Sequence, residues 1–99
     1  MDIKQLQYFV MCVDIGSIHK AAEGLITTQP NVSKVIKTLE EELDMTLLKR
    51  NRNGVSVTDE GKVIYQYAVK VLAEYQMIDE IKAQLNQKKH STNNLPEDK

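Results

Sequence analysis

Residues 17–37, SIHKAAEGLITTQPNVSKVIK, decide how this chain folds. Ser17 is a side-chain acceptor for the free N–H groups of a helix start. Ile18, Ala21, Ala22 and Leu25 then follow helical spacing, and the two alanines leave room for a neighbouring helix. A tight turn is expected at Ile26-Thr27. Thr28 repeats the capping chemistry, and Pro30 is tolerated in a first turn because its missing N–H had no intrahelical acceptor there. Val32, Val35, Ile36, Leu39 and Leu43 continue the apolar period. The stretch predicts two short amphipathic helices joined by a turn.

Working outward, Asp2 and Gln5 have the spacing of a capping box for an earlier helix carrying Leu6, Phe9, Val10 and Val13, with Gly16 as its stop. Asp44 follows the third helix and is one of the few residues that accept a left-handed turn. Leu47 to Arg50 and Val55 to Thr58 are short strands, with Asn53-Gly54 between them as a hairpin signal. Val55 and Val57 are expected to face inward, Ser56 and Thr58 outward. Thr58 can cap a fourth helix, with Asp59 and Glu60 favourable in its first turn. That helix is predicted to run from Lys62 to about Gln87, some ~40 Å. Ile64, Val71, Ile78 and Leu85 recur every seven residues along it, with Tyr67, Ala68, Tyr75 and Ile81 between. Such a stripe asks for a partner helix. The last residues, HSTNNLPEDK, are polar and aperiodic and are expected to be disordered. The division expected is therefore residues 1–58 as a compact domain, 59–87 as a linker and dimerisation helix, and 88–99 as a disordered tail.

The fold class expected is mainly α: a winged helix-turn-helix, made of a three-helix core and a β-hairpin wing, followed by a long dimerisation helix. Ninety-nine residues suit one domain with a modest core. No apolar run reaches the ~20 residues that cross a membrane, and MDIKQLQ lacks the apolar region of a signal peptide, so a cytoplasmic protein is expected. The single Cys12 sits among apolar neighbours and reads as a core residue in a reducing compartment.

The net charge of −1 speaks at first against a nucleic-acid partner, but its distribution does not. Residues 29–38 hold two lysines and no acid, and residues 45–58 hold Lys49, Arg50 and Arg52 and no acid. Glu40, Glu41, Glu42, Asp44, Asp59 and Glu60 lie elsewhere, and a local basic surface suffices to attract phosphates. On a helical wheel Gln29, Pro30, Ser33, Lys34 and Lys37 share the side opposite the core stripe. Gln pairs with adenine, Lys donates to guanine, Ser does either, and a Pro ring meets a thymine methyl. A polar helix face alone is commonplace. The short helix before it, the tight turn and the basic hairpin after it favour a helix seated in the major groove. Arg50 and Arg52, with Lys49, are placed to meet phosphates, and Arg52 at the hairpin tip to enter the minor groove.

The chain resembles the LysR-type family of bacterial transcription regulators. The resemblance is carried by Leu6-Gln7-Tyr8-Phe9, Gly16-Ser17, Ala21-Ala22, Thr28-Gln29-Pro30 with Ser33, Leu39-Glu40-Glu41-Glu42-Leu43, Leu47, Arg50 and Val57-Thr58-Asp59-Glu60-Gly61, in that order. It implies a winged helix-turn-helix that binds double-stranded operator DNA as a homodimer, its linker helices paired antiparallel, with tetramers in full-length forms. It also implies DNA contacts at Thr28, Gln29, Pro30, Ser33, Lys34, Arg50 and Arg52. Lys34 stands where arginine is common, Asp44 where glycine is frequent and Leu48 where phenylalanine is frequent. Lysine at position 34 gives up the bidentate fork of arginine. Full-length members carry an effector-binding domain after the linker, so the chain is expected to be a fragment or truncated form that binds no effector.

Three function classes follow. The first is a sequence-specific DNA-binding domain using Thr28, Gln29, Pro30, Ser33, Lys34, Lys37, Arg50 and Arg52, dimerised through Ile64, Val71, Tyr75, Ile78 and Leu85. The second is an interaction module that sequesters full-length regulators through the heptad helix. The third, an enzyme, has no support: His19, His90, Ser33 and Asp59 show no triad spacing. CxxC, HExxH and Gly-rich phosphate motifs are missing too, so neither metal nor cofactor is expected. His19 reads as a surface residue or a backbone contact.

Overall fold

A computed structural model describes residues 1–91. The element order is α1 (Ile3–Ile15), α2 (Ile18–Gly24), α3 (Gln29–Leu43), β1 (Leu48–Asn51), β2 (Gly54–Val57) and α4 (Asp59–Ser91). This is the mainly helical winged architecture expected, with the hairpin between the three-helix core and the long helix. The expected tail lies outside the described residues from position 92 on; α4 itself continues past Gln87 to Ser91.

Each of the first three helices is opened by a side chain that satisfies an otherwise free backbone donor. Asp2 and Gln5 form a reciprocal capping box, each bond 2.8 Å long. The Ser17 hydroxyl accepts from the Lys20 N–H at 3.1 Å, and Thr28 accepts from Asn31 at 3.2 Å. Gly16 ends α1 and Asp44 ends α3, both in the left-handed region. The turn between α2 and α3 is unusual. Ile26 adopts φ 55° with its side chain 93% exposed, although a β-branched residue is strained there.

The core is built where α1, α2 and α3 meet: Phe9, Cys12, Ala21, Val32, Leu39 and Leu47 are completely buried. Burying one large apolar side chain of this kind is worth about 1.5–3 kcal/mol. The first turns of α4 close the core from α1's side, with Ala68 buried and Ile64, Tyr65 and Leu72 packed against it. The Tyr65 hydroxyl donates to Asp14 across 2.5 Å, fastening α4 to the end of α1. Ile64 therefore spends its side chain partly on this chain's own core. The exposed apolar stripe of α4 comprises Tyr67, Val71, Tyr75, Ile78, Ile81 and Leu85.

The hairpin departs from the sequence expectation by one residue at each strand. Its antiparallel register pairs Leu48 with Val57 and Asn51 with Gly54, so the turn is Arg52-Asn53 and not Asn53-Gly54. Leu47 is not the first strand residue because its backbone is used otherwise. Its N–H donates to the Glu40 carboxylate at 2.7 Å, and its carbonyl accepts from the Thr58 N–H at 2.9 Å. Thr58, expected to face outward, is half-buried; its hydroxyl donates to the Thr46 carbonyl at 2.7 Å and accepts from the Gly61 N–H at 2.9 Å. Val55 and Val57 are half-buried and Ser56 is exposed, as the alternation predicts.

Gly54 serves a close approach. A Cβ there would lie 2.3 Å from the Gly16 carbonyl oxygen, and the next residue, Val55, donates to that same oxygen at 3.1 Å. Gly61 does likewise for α4, where a Cβ would stand 2.3 Å from the Leu47 carbonyl oxygen.

Candidate nucleic-acid interface

The exposed side of α3 follows from what its other side buries. Val32, Ile36 and Leu39 point into the core, which leaves Gln29, Pro30, Lys34 and Lys37 exposed and Ser33 half-exposed. Asn31 holds the start of the helix in place. Its amide nitrogen donates to the Thr27 hydroxyl at 2.9 Å and reaches the Tyr8 hydroxyl of α1 at 3.5 Å. The turn is thereby tied to α1, so α3 projects in a fixed direction. Sequence reading missed Asn31, because its partner on α1 is distant along the chain.

The wing meets α3 directly. The Arg50 guanidinium Nη2 donates to the Ser33 hydroxyl at 2.6 Å. A shallow cleft forms there between α3 and β1, lined by Pro30, Ser33, Lys34, Lys37, Leu48 and Arg50, with Ile18, Ile36 and Glu40 at its floor and edge. Six of the eight residues named for DNA contact thus converge on one surface or its margin: Pro30, Ser33, Lys34, Lys37 and Arg50 in the cleft, and Gln29 one turn toward the helix start. Thr28 contributes mainly as the cap. Arg52 sits at the exposed hairpin turn, outside the cleft, with Lys49 exposed on β1.

The electrostatics of this surface are one-sided. Among the described residues, ion pairs join Met1 to Glu42, His19 to Glu23 and Lys62 to Asp59, and none involves Lys34, Lys37, Lys49, Arg50 or Arg52. Glu40 does border the cleft, which the sequence reading of an acid-free helix face did not foresee. Its carboxylate is engaged from within, accepting from Leu47 N–H at 2.7 Å and Leu48 N–H at 3.2 Å. The basic groups face outward without internal neutralisation, as a polyanion requires.

His19 also lies at this surface. Its Nδ1 is in hydrogen-bond contact with Gln29 Nε2, and its Nε2 lies 3.3 Å from the Glu23 carboxylate. The pairing joins α2 to the first residue of α3 and bridges ten positions of sequence.

Of the residues named for dimerisation, Val71, Tyr75, Ile78 and Leu85 are exposed on α4, Ile78 and Leu85 by more than 60%. Val71, Tyr75 and Ile78 border an apolar groove against Ile3 of α1. Ile64 faces the core. Cys12 is fully buried, and burial pushes its thiol up to about 11. No group of three or more His, Cys, Asp or Glu side chains among the described residues is arranged to hold a metal ion, and no helix among them is long and apolar enough to cross a membrane.

Residues 3–62 match the family described as bacterial regulatory helix-turn-helix protein, lysR family. The nitrogen assimilation regulatory protein nac of Escherichia coli (strain K12) is 46% identical over 74 residues, which is 75% of this chain and 24% of that protein. The HTH-type transcriptional regulator BenM of Acinetobacter baylyi is 45% identical over 73 residues, 74% of this chain and 24% of that protein. The chain thus spans about a quarter of the length of these curated relatives. Among solved structures, the BenM_DBD/benA site 1 DNA complex is similar with a TM-score of 0.81 and 38% identity, covering 87% of this chain and 97% of that one.

Proposed function

The chain belongs to the lysR family of bacterial regulatory helix-turn-helix proteins, and from that premise we propose that it reads operator DNA as a two-fold dimer. In this reading α3 enters the major groove. Gln29, Pro30, Ser33 and Lys34 meet base edges there. Thr28, Lys37 and Arg50 meet the phosphate backbone, and Arg52 meets the backbone or the minor groove. The observation that carries the proposal is the convergence of α3 and the wing on one basic cleft, with Arg50 bonded to Ser33 and no ion pair spent on its cations among the described residues. The similarity to a domain solved with its DNA site supports it.

Dimerisation is assigned to the exposed stripe of α4, through Val71, Tyr75, Ile78 and Leu85, with Ile64 anchoring the helix to its own core. Two copies of α3 then address successive major-groove faces about 34 Å apart. The relatives are named as regulators, and the proposal includes no catalytic step, metal or cofactor. It places the protein in the bacterial cytoplasm, where the chromosome lies. Residues 1–58 form the reading head and α4 the linker, and any effector is left to a domain other than this one.

The exposed stripe of α4 also fits a second reading, in which the chain captures full-length regulators through that helix. Selection of bound DNA from a random pool, repeated at rising salt, separates the two. The DNA reading expects an inverted repeat whose affinity falls steeply with salt. Recovery of no sequence, with binding indifferent to salt, overturns it.

A further inference from the structure

Gln29 is the first residue of α3, and its side chain is among those assigned to base edges. A glutamine amide pairs with adenine only when its oxygen accepts from N6 while one of its N–H groups donates to N7. Turned over, the same amide offers the wrong pattern. An exposed glutamine with nothing to hold it is therefore a poor discriminator, since fixing the side chain costs free energy at the moment of binding.

Here the side chain has a holder on α2. The Glu23 carboxylate lies 3.3 Å from His19 Nε2, one helical turn away on the same helix. An ionised carboxylate accepts hydrogen bonds only, so it selects the ring form that carries a proton on Nε2. In the neutral ring that leaves Nδ1 as an acceptor. An acceptor at Nδ1 can be met only by the nitrogen of the Gln29 amide, and Gln29 Nε2 is the atom in contact with it. The chain of donors runs from Gln29 Nε2–H to His19 Nδ1, then from His19 Nε2–H to Glu23. One amide N–H is used; the other N–H and the oxygen Oε1 stay available, and those two groups are the adenine-pairing set.

We infer that His19, oriented by Glu23, is a positioning residue for base readout: it fixes the amide of Gln29 in the sense that favours adenine. The inference rests on the reading that Gln29 meets a base. The cleft around the ring is lined by Ala22, Glu23, Thr27, Gln29 and Pro30, so Glu23 is the carboxylate that faces it.

Nitrogen-detected NMR of the DNA-free protein tests the holder without any DNA. Expected are a neutral His19 ring protonated on Nε2 and Gln29 side-chain amide signals that shift in His19→Ala, a substitution at an exposed site. A ring protonated on Nδ1, or Gln29 signals indifferent to His19→Ala, overturns the inference and leaves the DNA reading intact. The second measurement is pool selection with wild type and His19→Ala. The variant is expected to keep its salt dependence while its adenine preference at one position per half-site falls roughly two- to tenfold, the factor that ordering one side chain is worth. Equal preference in both proteins overturns the inference. A wild type that selects no sequence overturns the DNA reading, and the inference with it.

Discussion

Arg50 on β1 and Ser33 on α3 are joined by a 2.6 Å hydrogen bond from guanidinium to hydroxyl, which ties the wing directly to α3. Seventeen residues of sequence separate the two. Arg50 keeps its charge and most of its donors for the outside, while Ser33 limits where the guanidinium can go. The bond predicts that the two residues are energetically coupled on DNA. Arg50→Ala is expected to weaken binding about tenfold and to reduce the slope of log affinity against log salt by about one. Ser33→Ala alone should weaken it less. In a double-mutant cycle of binding titrations, the Ser33→Ala effect is expected to shrink in the Arg50→Ala background; strict additivity of the two would show that the bond plays no part.

The apolar stripe on α4 predicts the assembly state. Sedimentation of the chain should give a dimer, and Ile78→Asp, at a side chain 64% exposed, should give a monomer with its core intact. Burying a new carboxylate against a partner helix is costly, whereas in the monomer it stays in water. A wild type that sediments as a monomer at high concentration would remove the two-fold reading.

Two glycines, half-buried Gly54 and buried Gly61, should not tolerate an added side chain. Gly54→Ala and Gly61→Ala each put a Cβ 2.3 Å from a backbone carbonyl oxygen, of Gly16 and Leu47 respectively. Neither backbone can yield without breaking the wing's attachment. Each substitution is expected to cost about 2 kcal/mol or more in urea unfolding, in the range of overpacking and backbone strain. A loss below about 0.5 kcal/mol, the ordinary surface value, would contradict the close approach.

The turn between α2 and α3 offers the opposite test. Ile26 carries a β-branched side chain at φ 55° and buries almost none of it. Asparagine accepts that conformation more readily and loses no core contact here. Ile26→Asn is expected to raise stability by about 1 kcal/mol in the same assay, with DNA affinity unchanged.

Cys12 should behave as a core residue. Burial raises its thiol from 9.0 to about 11, against a smaller opposing influence from Arg50. The raised value means that the fold favours the neutral thiol. That stabilisation is complete below pH 9.0 and is lost as the pH rises through about 11. A disulfide reagent near neutral pH is expected to leave the native chain untouched and to titrate one thiol after unfolding in guanidinium. Rapid reaction of the native protein would show Cys12 to be accessible.

The helices were legible because the chemistry that starts and stops them is local. Asp2 with Gln5, Ser17 with Lys20 and Thr28 with Asn31 each act across three residues, and the structure keeps all three caps. The hairpin was legible as an element but not in register. Asn53-Gly54 carries a turn signature, yet the turn falls on Arg52-Asn53 because Gly54 is needed against Gly16. Ile64 fits the heptad as well as Val71 does, but its share in the core depends on where α4 crosses α1.

The sequence by itself determined the winged helix-turn-helix order, the caps, the apolar stripes and the acid-poor segments of α3 and the wing, all of which are properties of residues within a few positions of one another. Tertiary structure alone decided that Arg50 bonds Ser33, that the Glu40 carboxylate receives Leu47 and Leu48, and that His19 holds Gln29. Those contacts join different elements, and their geometry is set by how closely the helices and the wing pack. The two backbone approaches at Gly54 and Gly61 set how closely the hairpin sits against the end of α1 and the start of α4, and no periodicity along the chain encodes that distance.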